Sequence, residues 1–171
     1  ARAEESNAST TQLYNPRLRQ WSTRLIDAVG LPRTLFPGIV PPGTRLGPLL
    51  PELARETGLP TIEVVASCTH DTGAAVAGVP AAAENWAYIS SGTWSLLGAE
   101  IPSPVIHAGS REANFTNEVG HGGSIRLLKN ISGKWLVQEC RRRWNSDGLD
   151  FDYARLAVLA GAAVPFRSLI N

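Results

Sequence analysis

The chain has 171 residues, of which 43% are hydrophobic and 18% are charged, and its formal net charge is +1. This length is enough for one medium domain or for parts of two, and the composition excludes a disordered chain. The near-neutral charge gives no electrostatic reason to bind nucleic acid. The apolar stretches are much shorter than the roughly 18 residues of a membrane-spanning helix, so we expect neither a nucleic-acid nor a membrane partner.

The two cysteines, Cys68 and Cys140, lie far apart and belong to no CxxC pair or histidine cluster. Neither a disulfide framework nor a metal site is therefore predicted, and a reducing, cytoplasmic location fits best. The chain contains no methionine and stops just after an apolar run. These two features favour a segment excised from a longer protein, with initiator removal and chance as open alternatives.

The first part of the chain is predicted to alternate irregular and helical segments. Residues 1–15 are small and polar, which predicts an irregular segment. Apolar residues at three- and four-residue spacing predict an amphipathic helix from about 19 to 29. The proline- and glycine-rich stretch 35–51 predicts a structured loop, and a short helix follows over 49–57.

A strand, a turn and a helix come next. The β-branched run 61–66 predicts the strand, and the small residues 72–79 predict the helix. The composition then changes at 79–84, which is small and linker-like. We expect a domain boundary there.

Beyond the predicted linker, strands are expected at 86–90, 95–98 and 124–128. Helices are expected at about 132–144 and 152–159, the second with an acidic residue near its start, where the helix dipole favours one. The chain therefore reads as an α/β protein.

The turn after the first long strand carries the first candidate site. It holds Cys68-Thr69-His70-Asp71 at the carboxyl end of a strand, where open α/β sheets bind ligands. Asp71 on such a turn is suited to accept a hydroxyl proton as that oxygen attacks phosphorus. Considered without a family, Asp71 and Thr72 are more often simple caps of the following helix, and His70 alone is more often structural than a base.

Two further positions could contact phosphate or sugar. Gly92 allows a close approach of backbone amides to a phosphate, and the Thr93 hydroxyl and neighbouring N–H groups can donate to it; an ordinary hairpin turn is the alternative. Eight residues separate Asn130 from Gln138 on the following helix, and the helical rise makes that separation about 12 Å, a span that suits a bridge between a sugar and a nucleotide. Surface or capping roles are the alternative for Asn130 and Gln138. The arginines at 141–143 indicate a solvated helix face.

Several strings of residues together resemble one known family, the carbohydrate kinases of the FGGY type, and within it the members that act on L-rhamnulose. The Ser90–Ser95 string, Ser-Ser-Gly-Thr-Trp-Ser, is the most specific of them. The strings are Asn7–Leu13, His70–Thr72, Tyr88–Ser95, Asn117-Glu118, Leu128–Ile131, Gly133 and Trp135–Gln138. They follow the order of the family and span most of the chain.

The resemblance implies an actin-like ATPase (ribonuclease H-like) α/β fold whose two domains close around a sugar and ATP. Residues 1–79 would form the end of the first domain, on the sugar side. Residues 80–171 would form the start of the second domain, on the nucleotide side.

The resemblance also implies a role for each candidate residue. The catalytic proton acceptor would be Asp71, the sugar contacts would be His70, Asp71, Thr72 and Asn130, and the nucleotide contacts would be Gly92, Thr93 and Gln138. The implied reaction moves the γ-phosphoryl group of ATP, with Mg²⁺, to the primary hydroxyl on carbon 1 of L-rhamnulose. No metal ligand is assigned to the chain itself.

Two departures from the family limit what the resemblance implies. In the family, smaller residues than Ser67-Cys68-Thr69 are expected just before the position of His70. The family's phosphate-binding hairpin and its glycine-rich adenosine site are not found in this sequence. We therefore expect the chain to be inactive alone and to self-associate through uncovered edges. A kinase for another ketose or polyol, and a non-catalytic sugar-binding or interaction module, are the alternative functions.

Overall fold

The computed structural model describes residues 1–83 and 85–169. The chain divides into two compact units, Ala1–Ser90 with Leu96–Ile131 and Ser91–Ser95 with Ser132–Asn171. The predicted domain boundary at 79 and 80 stays a prediction, and Glu84 of the predicted linker lies outside the described residues.

The architecture is mixed α/β, as predicted. The helices are α1 (Glu5–Thr10), α2 (Thr23–Ala28), α3 (Pro51–Thr57), α4 (Asp71–Ala77), α5 (Ala108–Glu112), α6 (Trp135–Ser146) and α7 (Tyr153–Ala162). The strands are β1 (Ala3–Glu4), β2 (Tyr14–Asn15), β3 (Gln20–Trp21), β4 (Ile39–Val40), β5 (Arg45–Pro48), β6 (Glu63–Val65), β7 (Ala87–Ser91), β8 (Trp94–Ile101), β9 (Thr116–Val119) and β10 (Ile125–Ser132). Short 3-10 turns occupy Arg33–Leu35 and His121–Gly123.

Four sheets organise these strands. The largest has the order β7-β8-β10-β9, and the other three are the two-stranded pairs β1-β4, β2-β3 and β5-β6. The β1-β4 pair is parallel, whereas β2-β3, β5-β6 and β9-β10 are antiparallel.

The prediction of an irregular segment over 1–15 is wrong, because α1 forms there and is largely buried. The Glu4 side chain caps this helix by accepting from the Ser6 N–H. Its small residues allow close packing, and the Ser9 hydroxyl accepts a hydrogen bond from the Val119 N–H at 2.8 Å. Ala8 joins Val119 in the buried apolar cluster of the first unit. Short polar side chains here satisfy backbone groups inside the core, a use that composition alone does not reveal.

The predicted helix at 19–29 is shorter than expected, because residues Gln20–Trp21 pair with β2 instead. Ser22 caps α2 by accepting from the Leu25 N–H, and Ile26 is the buried residue of this helix. The predicted loop at 35–51 contains the short strands β4 and β5, while the short helix predicted at 49–57 is confirmed as α3.

Strand β10 runs farther than predicted and includes Asn130. Because α6 begins only at Trp135, Asn130 and Gln138 do not share a helix, and the helical rise does not give their separation. The strand β9 was also not predicted, because it is short and three of its four residues, Thr116, Asn117 and Glu118, are polar.

The second unit contains the two C-terminal helices. The ring of Trp144 lies edge-on to Phe151 at 5.5 Å, and the Arg141 guanidinium lies 4.7 Å from the centre of the Tyr153 ring. Arg141 also donates to the Phe151 carbonyl at 2.6 Å. The arginine cluster is therefore solvated only in part, because Arg141 packs on the aromatic residues after α6.

Candidate functional site

The candidate site is the turn between β6 and α4, which has the predicted order of strand, turn and helix. His70 is the N-cap residue of α4 and Asp71 is its first helical residue. The buried Gly73 lets α4 approach its neighbours closely. A Cβ atom there would lie 2.9 Å from the Cys68 sulfur and 3.4 Å from Arg126 Nη2.

One side of the turn is held by the carboxylate of Glu4, which is 8% exposed. It accepts from the Thr69 N–H at 3.0 Å and from the Thr69 hydroxyl at 2.7 Å. It also accepts from the Ser6 N–H at 2.9 Å and from the Ser6 hydroxyl. Burial by itself raises the pKa of Glu4, but the hydrogen bonds from Ser6 and Thr69 outweigh it and hold this pKa below its ordinary value. Glu4 is thus ionised and fixes Thr69 at neutral pH.

The start of α1 adds two further supports to the same turn. The Asn7 side-chain amide donates to the Thr69 hydroxyl at 2.6 Å, and the His70 N–H donates to the Ser6 hydroxyl at 3.1 Å. The backbone of the turn is therefore bound to a buried helix on one side before α4 begins on the other.

The opposite side of the turn meets a buried charge. Arg126 is fully buried, and its Nη2 lies 2.8 Å from His70 Nδ1 and 2.6 Å from Glu118 Oε2. The carboxylate Oε2 of Glu118 lies 3.7 Å from His70 Nδ1. The His70 ring is thus enclosed by charged groups while 23% of its side chain stays exposed.

Asp71 points into solvent, with 96% of its side chain exposed. Its Oδ1 accepts from the Thr72 N–H and, at 3.1 Å, from the Thr72 hydroxyl. These two bonds hold the pKa of Asp71 below its ordinary value. Asp71 is therefore an ionised, accessible acceptor, and its contacts with Thr72 also serve the start of α4, so both interpretations of this residue fit the geometry.

The other predicted sugar contact, Asn130, is exposed on β10 in the same unit. Side chains alternate along a strand, so Asn130 shares the face of β10 that carries Arg126. A cavity of about 580 Å³ lies beside the turn, with Asn7, Trp21 and Thr69 among its lining residues; Asp71 is not among them. The structure brings His70, Asp71 and Thr72 together and leaves Asp71 open to solvent.

The predicted nucleotide contacts lie in the second unit. The exposed residues Gly92 and Thr93 join β7 to β8, and the Gly92 N–H donates to the Trp94 carbonyl at 2.9 Å. The two carbonyls of the turn accept from the first N–H groups of α6, Gly92 from Lys134 at 2.9 Å and Thr93 from Trp135 at 3.1 Å. The Gly92 amide is thus engaged within the turn, and the exposed Thr93 side chain remains available to a ligand.

Gly133 makes this contact possible. A Cβ atom at Gly133 would lie 2.6 Å from the Gly92 oxygen and 2.7 Å from the Thr93 oxygen. Gln138, half-buried, is the fourth residue of the helix that this turn touches. The structure therefore places all three predicted nucleotide contacts on one turn and the first turn of α6.

Several supporting residues were missed by the sequence interpretation, chiefly Glu4, Ser6 and Arg126. The clearest signal was Arg126, a charge inside the otherwise apolar string Ile125-Arg126-Leu127-Leu128. A lone charge in such a strand needs a buried partner. Glu4 and Ser6 gave no comparable signal, because polar residues near a chain end are usually exposed.

Two features are absent from residues 1–83 and 85–169. No helix in these ranges is long and apolar enough to cross a membrane. In the same ranges no group of three or more His, Cys, Asp or Glu side chains is arranged to hold a metal ion.

Comparison with sequence families gives two adjoining matches. Residues 2–78 match the N-terminal domain of the FGGY family of carbohydrate kinases, and residues 87–170 match its C-terminal domain. Among curated proteins, the chain is 49% identical over 168 residues to a rhamnulokinase of Bacteroides thetaiotaomicron, covering 98% of this chain and 34% of that protein. It is 45% identical to a rhamnulokinase of Enterococcus faecalis, covering 98% of this chain and 33% of that protein. The chain thus spans about a third of the length of these relatives.

Comparison with solved structures supports the fold. The crystal structure of a xylulose kinase from Lactobacillus acidophilus matches 95% of this chain and 32% of that one, with a TM-score of 0.76 and 16% sequence identity. The predicted α/β, actin-like ATPase fold is confirmed.

Proposed function

This chain belongs to the FGGY family of carbohydrate kinases, and we propose that it supplies the sugar-phosphorylating centre of a rhamnulokinase. The reaction proposed is transfer of the γ-phosphoryl group of Mg-ATP to the carbon 1 hydroxyl of L-rhamnulose. The observation that carries the proposal is the ionised, exposed Asp71 at the start of α4, held by a turn that Glu4 and Arg126 fix from two sides. The similarity to curated rhamnulokinases supports the choice of sugar.

Asp71 is proposed as the acceptor of the hydroxyl proton. Its lowered pKa makes it a weak base, but it is charged at neutral pH and can orient the attacking hydroxyl. Phosphoryl transfer passes through a loose transition state in which positioning and charge stabilisation supply most of the catalysis, so a weak base suffices. His70, Thr72 and Asn130 are proposed to contact the sugar; the Thr72 hydroxyl would have to exchange its bond to Asp71 for one to the substrate.

Mg-ATP is proposed as the second substrate, contacted by Gly92, Thr93 and Gln138. The exposed hydroxyl of Thr93 fits a phosphate oxygen, and its turn is anchored by the N–H groups of Lys134 and Trp135. Mg²⁺ in such sites is held largely by substrate phosphates and water, so it needs no dedicated cluster of protein ligands. When bound, the ion neutralises charge that develops on the phosphate oxygens.

We also propose that turnover needs more of the kinase than this chain, which spans about a third of its curated relatives. Large apolar side chains are exposed, among them Trp94, Val158 and Phe166 at 68%, 65% and 87%. Such exposure favours self-association of the isolated chain.

Both cysteines, buried Cys68 and exposed Cys140, are free, which supports a reducing, cytoplasmic location.

The proton-acceptor role is tested in a hybrid kinase, in which this chain replaces the matching 168 residues of the Bacteroides thetaiotaomicron relative. We expect Asp71→Asn to lower kcat for L-rhamnulose by about 100-fold or more, because general-base groups contribute factors of this size. The matched control is Asp150→Asn, an exposed aspartate near the end of α6, which should leave kcat unchanged. Equal turnover by the Asp71→Asn hybrid and its parent would show that Asp71 is not the proton acceptor.

A further inference from the structure

The pair Arg126 and Glu118 is built into the register of the main sheet. These residues are direct partners on the antiparallel strands β10 and β9. Arg126 is fully buried and the Glu118 side chain is 14% exposed, with 2.6 Å between Nη2 and Oε2. The strand pairing therefore places a guanidinium directly beneath the turn that carries His70.

This guanidinium is costly to bury. Within the described part of the chain, its Nε and Nη1 groups are buried and make no hydrogen bond of ordinary geometry, although the Tyr88 hydroxyl lies beside the guanidinium. Apolar side chains of similar volume often stabilise a fold as well as a buried ion pair does, or better. The role of Arg126 therefore depends on Nη2, the nitrogen that contacts His70 and Glu118.

That nitrogen determines the state of the His70 ring. An arginine donates hydrogen bonds and accepts none, so His70 Nδ1, 2.8 Å from Arg126 Nη2, must be the acceptor. A neutral imidazole whose Nδ1 accepts carries its proton on Nε2. Nε2 faces the other way and lies 4.0 Å from Asp71 Oδ1.

We infer that Arg126 is a positioning residue that fixes His70 in the Nε2–H tautomer, so that the ring presents a hydrogen-bond donor beside Asp71. This inference rests on the proposed function, in which that donor meets an oxygen of the sugar. The His70 backbone is held separately by Ser6, so Arg126 sets the ring state and orientation while Ser6 sets the position. Loss of Arg126 should leave Nδ1 without its donor and let both tautomers and other ring orientations occur.

The direct test is ¹⁵N NMR of the histidine rings in the full chain. In the unchanged protein, His70 should show an unprotonated Nδ1 and a protonated Nε2. The informative variant is the double substitution Glu118→Leu with Arg126→Met, which removes both charges and leaves no unpaired carboxylate behind. Circular dichroism should confirm its fold, and its His70 signals should move to a mixture of tautomers. The control Arg142→Met, at an arginine whose side chain is 73% exposed, should leave them unchanged.

The same variants in the hybrid kinase measure the effect on the reaction. We expect kcat/KM for L-rhamnulose to fall by about 100-fold in the double variant, as misplacement of a reacting group by about 1 Å can cause. Arg126→Lys, which keeps a charged donor, should recover part of that loss. If the Arg126–Glu118 pair only stabilised the fold, Arg126→Lys would not restore both kcat/KM and the Nε2–H signal of His70.

Two results would overturn the inference. One is a proton on His70 Nδ1 in the unchanged chain, and the other is a folded double variant with unaltered ring signals. If the unchanged hybrid kinase phosphorylates no sugar, the proposed function fails, and the ring signals still decide the tautomer independently.

Discussion

Replacing Glu4 by glutamine should destabilise the support of the candidate site. The carboxylate receives four hydrogen bonds, two from Ser6 and two from Thr69. A glutamine keeps one oxygen, and its NH₂ group must face at least one of these donors. Hydrogen bonds to a charged group contribute about 1.5–3 kcal/mol, and a buried donor left unpaired costs about 1–3 kcal/mol. We therefore expect the free energy of unfolding to fall by about 2–3 kcal/mol.

Urea unfolding and amide hydrogen exchange measure this effect in complementary ways. A local loss of about 2–3 kcal/mol should speed exchange at the Thr69 amide by about 30- to 150-fold, since 1.4 kcal/mol is a factor of ten. The control Glu139→Gln removes an exposed ion pair to Arg142 and should change stability by at most about 1 kcal/mol. Stability and Thr69 exchange that match the unchanged chain would show that Glu4 does not hold the turn.

Three other predictions concern stability. The hydrogen bonds to Glu4 hold its pKa below the ordinary 4.5, so their contribution to the free energy of unfolding is complete above pH 4.5. This contribution is lost as the pH falls through the lower pKa of the folded state. The difference in stability between the unchanged chain and Glu4→Gln should therefore narrow when unfolding is measured in acid. Gly133→Ala should lower the free energy of unfolding by about 1–3 kcal/mol, because its Cβ would meet the Gly92 oxygen. The control Gly161→Ala lies in α7, where a Cβ meets nothing within 4 Å, and it should raise the free energy of unfolding by up to about 1 kcal/mol in the same urea experiments. Tyr88→Phe removes a buried hydroxyl that lies beside the Arg126 guanidinium, and it should lower the free energy of unfolding by about 1 kcal/mol because the buried guanidinium loses an acceptor; unchanged stability would show that the two groups do not interact.

The elements that the sequence predicted well have strong local signals. The β-branched run before Cys68 and the small residues after Asp71 predict a strand and a helix, and β6 and α4 are found there. The cap of α7, Asp152, is the acidic residue expected at the start of that helix, and its type favours helix starts. Such signals act within a few residues and survive the absence of tertiary information.

What the sequence did not predict depends on contacts far along the chain. The helix α1 is buried because Ser9 binds Val119, 110 residues away, and Glu4 binds Thr69, 65 residues away. The Arg126 contact to His70 joins residues 56 apart. No local pattern encodes these pairings, so the sequence could not show which residues support the turn.

The measurement that tests the central proposal most directly is sugar-dependent ADP release by the hybrid kinase that carries this chain unchanged. With Mg-ATP and a panel of ketoses and polyols, we expect L-rhamnulose to be the preferred substrate, with phosphate attached at carbon 1 when the product is examined by ³¹P NMR. The isolated chain should release no ADP in the same assay. A folded hybrid that phosphorylates another sugar in preference would contradict the choice of L-rhamnulose, and one that phosphorylates none of them would contradict the proposed kinase function.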